Sequence, residues 1–506
     1  MELDYDLESI QGMRTALKRA KAAQKEYESF TQEQVDRIVT AVAEAAHAKA
    51  RSLAEKAVEE TGMGVVEHKT IKNQVGSKDV YESIKNEKTV GVIYRDTAKK
   101  VTEFAYPFGV VAAIIPTTNP TSTAIYKTLI SLKTRNAIVV SPHPSAVKCT
   151  IAALKICHDA AVQAGAPEGI VGWISKPSMP ATTELIQHRD TSVILATGGG
   201  GLVRAAYSSG KPAYGVGPGN VPVYLEKSCQ VKKAVQMVMD SKTFDNGTIC
   251  ATEQAIVVDQ NIKEMTVREL KNQRAYFLEG EEKEKVAAVL SPAPGKINPK
   301  IVGRPATTIA QMAGVNVPSD TRVLIAEETR VGKDVPFSLE KLSPVFALYT
   351  VKDVDQAKAQ CIELLNLGGR GHSLSIHTSD DQIAEMFGHE MPVSRLMVNT
   401  LSSIGAVGAT TNLKPSLTLG CGSYGGNITS DNITARHLVN IKRLAYGVKD
   451  VEIPKPSATV QSPKQADPEE NDLEKVISEV LKKVDSEEVD PQKVSAIVGK
   501  VLQKYQ

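Results

Sequence analysis

Cys250 closes the stretch FDNGTIC, in which Gly247 allows a tight turn and Thr248 is small, so the thiol can stand in a cleft. A thiol so placed is a nucleophile for a carbonyl carbon, although a cysteine taken singly is more often a core filler. The other five cysteines, Cys149, Cys157, Cys229, Cys361 and Cys421, form no CxxC pair with it or with each other. Neither a disulfide framework nor a metal site is expected from them. Asn119 follows an apolar run in IIPTTNP, two residues after Thr117. A side-chain amide there can aim its N–H at an oxyanion, a contact whose removal typically costs about 3 kcal/mol. Taken alone, Asn119 is better explained as the turn residue before Pro120. A third candidate is the run TGGGGLVRAAYSSG, where Thr197, Gly198 and Gly199 lie between an apolar strand and a helix. Backbone N–H groups there can approach a dinucleotide without Cβ obstruction. The run is not GxGxxG, because Val203 takes the last position, and GVGPGN fails in the same way at Asn220.

These residues need a scaffold, and the chain supplies one. GVVAAIIP, AIVVSP and SVILAT are short apolar runs separated by segments of helical composition. That alternation predicts a doubly wound parallel sheet. A second set, QAIVVD, RVLIAE, PVFALYT and LSIHT, predicts a second α/β lobe, with the active site between the two. Residues 6 to 60 carry apolar side chains at helical spacing, as in Ile38, Val39, Val42 and Ala45, and read as packed surface helices. At 506 residues and 42% hydrophobic, the chain can bury more than one core. Its 60 basic and 58 acidic residues give no field for nucleic acid or an anionic membrane. No secretory signal and no run of about 18 apolar residues is found, so a cytoplasmic protein is expected.

The segments PTTNPTSTAIYKTLISLKTRNAIVVSPHP, SSGKPAYGVGPGNVP, TFDNGTICATEQ, EKLSPVFALY, GGRGHSLSIHT and GCGSYGGNITSDNITARHLVNIK follow one another over roughly residues 75 to 450. On them the chain resembles the aldehyde dehydrogenase superfamily, more closely its CoA-acylating branch, including the aldehyde dehydrogenase half of bifunctional alcohol/aldehyde dehydrogenases. The resemblance implies NAD as hydride acceptor and coenzyme A as acyl acceptor. It also implies a short aldehyde such as acetaldehyde or propionaldehyde as substrate, with Cys250 as nucleophile and Asn119, with the Cys250 backbone N–H, as oxyanion hole. Glu340, in EKLSP, matches the glutamate that holds the nicotinamide ribose. Thr117, Thr197, Gly198 and Gly199 match further cofactor contacts. Ser141, Pro142 and His143 match the loop along the adenosine ribose, where many relatives place a lysine, so the choice between NAD and NADP stays open. His372, in GGRGHSLSIH, either assists the CoA thiol or is structural.

The chain departs from the hydrolysing relatives, which carry a glutamate that aligns on Val216. Valine cannot deprotonate water, so a thioester on Cys250 should wait for a thiol. Three competing readings are a non-acylating dehydrogenase, an acylating enzyme for a polar aldehyde such as sulfoacetaldehyde, and a non-catalytic protein on the same fold.

The expected layout is an α/β aldehyde dehydrogenase-like fold of two lobes. A cofactor domain spans 1–230, with roughly 96–107 in a small oligomerisation element, and a catalytic domain spans 231–422. Residues 423–452 return to the cofactor domain and that element, and the family resemblance implies a homodimer or homotetramer. A linker at 453–471, VEIPKPSATVQSPKQADPEEN and its surroundings, holds four prolines. In the tail, 472–506, Leu473, Val476, Ile477, Val480, Leu481 and Val484 form one helical stripe, and Val494, Ile497, Val498, Val501, Leu502 and Tyr505 form another. Asp490 is placed as N-cap and Pro491 in the first turn of the second helix. The tail has ten acidic and six basic residues from Asp467 onward, which disfavours a membrane. It resembles the encapsulation peptides that bring enzymes into bacterial microcompartments, which implies shell proteins as partners.

Overall fold

The computed structural model describes residues 4–454, Ser478, Asp490 and residues 492–496. The chain divides into two compact units, Met1–Tyr446 and Gly447–Gln506. Within the second, residues 492–496 are helical, and Asp490 Oδ1 accepts from the Gln492 N–H at 3.0 Å, as an N-cap does. The rest of the linker and tail expected at 453–471 and 472–506 lies almost wholly outside the described residues.

The first unit opens with helices Tyr5–Tyr27, Gln32–Ala48 and Ala50–Thr61. The second of these shows why the sequence is helical there. Thr31 and Gln34 form a reciprocal capping box at its start, and Val35, Ile38, Val39, Val42, Ala43 and Ala46 bury one face.

The strands run in chain order as β1 (Gly91–Asp96), β2 (Val101–Pro107), β3 (Val110–Ile114), β4 (Ala137–Ser141), β5 (Val171–Trp173), β6 (Thr191–Thr197) and β7 (Ala213–Val216). They continue as β8 (Val221–Leu225), β9 (Glu253–Asp259), β10 (Ala275–Phe277), β11 (Val323–Glu327), β12 (Val345–Val351), β13 (Gly371–His377), β14 (Val393–Val398) and β15 (Val439–Ala445). β3 to β7 make a parallel sheet in the order β5-β4-β3-β6-β7. β8 to β14 make a second, in the order β10-β11-β12-β9-β8-β13-β14 and parallel throughout. β9 is buried along its whole length. Ala255 and Val257 face one core cluster while Ile256 and Val258 face another, so its unbroken apolar run reflects cover on both faces.

The first sheet winds outward from β3 to β5 and then from β6 to β7, so the strand order reverses between β3 and β6. Ligands of doubly wound sheets bind beyond the carboxyl ends of such strands. Lys127, buried in the helix Pro120–Lys133, ties these two ends together by donating to the carbonyls of Ile114 (2.8 Å) and Leu195 (2.9 Å).

Two expected boundaries shift. β8 already belongs to the second sheet, so the chain crosses between lobes at residues 217–220, before 230. The Gly-Pro-Gly-Asn there is the short connection, and the apolar run that follows is the start of the second core. The small antiparallel sheet is β1-β2-β15 and begins at Gly91, before 96, because β1 is the hairpin partner of β2.

Candidate active site

A cavity of about 390 Å³ opens between the two sheets. The first lobe contributes Thr117, Thr118 and Asn119 after β3, His143 after β4, Thr197, Gly198 and Gly199 at the end of β6, and Val216 at the end of β7. The second contributes Cys250, just ahead of β9, and Glu340, ahead of β12. The lobes therefore meet the cavity with opposite strand ends, carboxyl ends from the first and amino ends from the second.

Cys250 is half-buried, whereas the other five cysteines are buried. It follows a turn in which Asp245, Asn246 and Gly247 are all left-handed, with φ of 51°, 52° and 78°. Asp, Asn and Gly tolerate that region best, so the sequence DNG is suited to the turn. Burial pushes the Cys250 thiol up to about 12; the charges of Glu340 and Cys421 add to this, and Arg395 opposes it. The thiol is therefore protonated at rest, and thiolate forms at a cost met when it attacks.

Asn119 occupies the N-cap position of the helix Pro120–Lys133, yet its side chain makes no capping bond. Its Oδ1 accepts instead from Lys72 Nζ at 2.6 Å, and Nδ2 donates to Thr118 Oγ1 at 3.1 Å. The turn before Pro120 thus does not account for the side chain. Glu340 Oε1 accepts from the Gly219 N–H at 2.9 Å, and burial raises its carboxyl to about 7. It is the only carboxylate among the described residues of the cavity wall, and the position matched to a hydrolytic glutamate is the apolar Val216.

The four glycines 198–201 have open space where a Cβ would stand, with nothing within 4 Å. Packing of the fold does not call for them, which suits a backbone that a ligand approaches closely. Together with the Glu340 carboxylate and the strand-end loops, this cradle fits a nicotinamide dinucleotide. His143 lines the cavity, and its Nδ1 accepts from the Ser145 N–H, which leaves the proton on Nε2. Burial lowers its pKa, so it stands as a neutral donor.

Not every expected residue reaches the cavity. Ser141 is buried at the end of β4 and shares a hydrogen bond with Thr182 Oγ1, and Pro142 is buried beside it. His372 is buried behind Gly219 at the start of β13, and burial and Arg395 lower its pKa to about 3. Its Nε2 has no partner.

Sequence reasoning passed over four residues. Gly219 was set aside with GVGPGN, but a Cβ there would lie 2.0 Å from the Cys250 carbonyl oxygen. Lys69, Lys72 and Asp245 form a buried ionic cluster behind Asn119. The signal was present, as two lysines three apart in VEHKTIKNQ and an aspartate in FDNG, but nothing in either segment says that they meet.

A family model described as the aldehyde dehydrogenase family matches residues 7–293. The bifunctional aldehyde-alcohol dehydrogenase AdhE of Escherichia coli strain K12 is 47% identical over 442 residues, 86% of this chain and 50% of that protein. The chain thus spans about half the length of that curated relative. Among solved structures, an acetylating aldehyde dehydrogenase from Geobacillus thermoglucosidasius is 56% identical with a TM-score of 0.88, covering 90% of this chain and all of its own. A propionaldehyde dehydrogenase from the fucose utilisation bacterial microcompartment of Clostridium phytofermentans is 29% identical with a TM-score of 0.77, covering 86% and 97%. The cysteine-bearing cavity between two parallel sheets and these matches agree: the chain belongs to the aldehyde dehydrogenase family.

Proposed function

We propose that the chain is a CoA-acylating aldehyde dehydrogenase that converts a short aldehyde, NAD and CoA to acyl-CoA and NADH through a thioester on Cys250. The observation that carries this reading is the wall around the thiol. An amide donor, Asn119, stands on it, and the position of the hydrolytic base is filled by Val216. The relatives named as acetylating and as propionaldehyde dehydrogenases support the same reaction class.

Cys250 adds to the aldehyde carbonyl, and its thiol proton passes to solvent as the S–C bond forms and the carbonyl π pair moves onto oxygen. The new oxyanion is met by the Asn119 Nδ2–H and the Cys250 backbone N–H. A bound nicotinamide dinucleotide supplies the hydride acceptor, with Thr117, His143, Thr197, Gly198, Gly199 and Glu340 as the residues that would hold it. Loss of hydride leaves an acyl thioester on Cys250. Glu340 is engaged by Gly219, and Val216 cannot accept a proton, so water on the wall is poorly activated and the CoA thiol takes the acyl group. His372, behind the wall and held neutral, is assigned a structural role in preference to proton transfer.

Acetaldehyde and propionaldehyde differ by one methylene, about 1 to 3 kcal/mol in an apolar pocket, so both are candidates. The exposed apolar side chains Val92 and Tyr94 on β1 and Ile441 and Leu444 on β15 favour a dimer or tetramer built on the small sheet. The two apolar stripes of the tail favour shell-protein docking inside a microcompartment, within the cytoplasm. The test of the reaction is NADH formation with NAD and each aldehyde, with and without CoA. Sustained turnover should require CoA and vanish in Cys250→Ala, and equal turnover without CoA would make water the acceptor.

A further inference from the structure

Behind the Thr117–Asn119 loop, Lys69 and Lys72 share one face of the helix Val66–Gln74 and close on Asp245, the residue that opens the left-handed turn before Cys250. The three side chains are 3%, 3% and 0% exposed. Asp245 Oδ2 accepts from Lys69 Nζ at 2.9 Å and from Lys72 Nζ, and Asp245 Oδ1 accepts from the Val65 N–H at 2.8 Å. Lys69 also donates to the Thr118 carbonyl at 2.9 Å. Lys72 also donates to Thr248 Oγ1 at 3.0 Å and to Asn119 Oδ1 at 2.6 Å. The cluster thus joins the loop after β3, in one lobe, to the turn before Cys250, in the other.

An ammonium has three N–H donors and no lone pair. All three donors of Lys72 are used, by Asp245, Thr248 and Asn119. A side-chain amide has an oxygen end and a nitrogen end of nearly the same shape, and it can turn over unless its partners forbid it. Lys72 forbids it, because a donor-only group can face only the oxygen. The nitrogen end is then the one left for the cavity that Asn119 lines, with one of its two hydrogens on Thr118 Oγ1. A flipped amide would present a lone pair to a forming oxyanion.

We propose that Lys72 is a positioning residue, whose ammonium, held by Asp245 and Thr248, locks the Asn119 amide with its N–H group toward the reacting carbonyl. This rests on the reading of Asn119 as the oxyanion donor. Lys72 is lowered to about 8 by burial and Lys69, against the pull of Asp245, and so remains an ammonium at neutral pH.

The test is a double-mutant cycle in the full chain with Lys72→Met, Asn119→Ala and the pair, scored by kcat/KM for aldehyde with NAD and CoA. Alkylation of Cys250 by iodoacetamide, which develops no oxyanion, runs alongside. Asn119→Ala should lower kcat/KM about 100-fold. Lys72→Met should lower kcat about 10-fold or more with KM for NAD unchanged, and the pair should be no worse than Asn119→Ala alone within about 3-fold. Alkylation in Lys72→Met should stay within about 3-fold of the wild type. Multiplied losses in the pair, or alkylation falling with turnover, overturn the proposal. Full activity in Asn119→Ala removes the oxyanion reading itself and the proposal with it. Lys72→Gln, which stays polar but offers two N–H donors in place of three and can accept as well as donate, gives the same cycle should the Met variant be insoluble.

Discussion

At the scale of single residues, Cys250 and Glu340 are two acids whose shared burial holds both protonated beyond their ordinary range. The folded protein keeps the Glu340 proton up to about 7, against an ordinary value of 4.5. Between those values the folded state binds more protons than the unfolded, so this group's contribution to stability falls as pH rises through the window. Glu340→Gln lacks that loss, and its melting temperature relative to wild type should rise from pH 4.5 to pH 8, by an amount equivalent to about 1 to 3 kcal/mol. In the same variant the Cys250 thiol loses a neighbouring negative charge, so alkylation at pH 8 should be faster than in wild type while KM for NAD rises. Slower alkylation would mean that Glu340 assists the thiol. That Cys250, Asn119 and Glu340 would come together was an expectation from the sequence, because each stands in a segment shared with a family, and the three line one cavity. Lys72 was not, since a lysine in a polar helix carries no mark of the buried aspartate 173 residues away that it meets.

At the scale of elements, the site is an agreement between loops of two sheets. The connection at residues 217–220 sits at their junction. Gly219 gives its N–H to Glu340 and leaves room for the Cys250 carbonyl, and the Asn220 side chain donates to the carbonyls of Ser338 (2.8 Å) and Leu364 (3.0 Å). Gly219→Ala should displace Cys250, lowering kcat by at least about 10-fold and stability by about 1 to 3 kcal/mol, seen by kinetics and thermal unfolding. Wild-type kcat in that variant would show that the backbone yields without moving the thiol. The strands themselves were plain in the sequence: QAIVVD, RVLIAE, PVFALYT and LSIHT fall on β9, β11, β12 and β13, although β13 starts three residues before its segment. What the apolar runs did not reveal was which sheet each joins. β8 follows β7 after four residues, and only the pairing assigns it to the second lobe.

At the scale of the whole molecule, the unit Met1–Tyr446 contains both sheets and the cavity, and the proposed docking of the tail is a separate question. A reporter fused to residues 467–506 and expressed beside shell proteins should collect in compartments; a diffuse reporter would leave the stripes to ordinary packing. The central claim is chemical, however, and rests on a thioester that water does not claim. Its direct measurement is a single turnover with NAD and propionaldehyde in the absence of CoA, followed by rapid-quench mass spectrometry of the peptide bearing Cys250. The account predicts one NADH per site, an acyl group on Cys250 that persists, and its release as acyl-CoA when CoA is added. Continued NADH formation without CoA, with free acid and an unmodified Cys250, would contradict it.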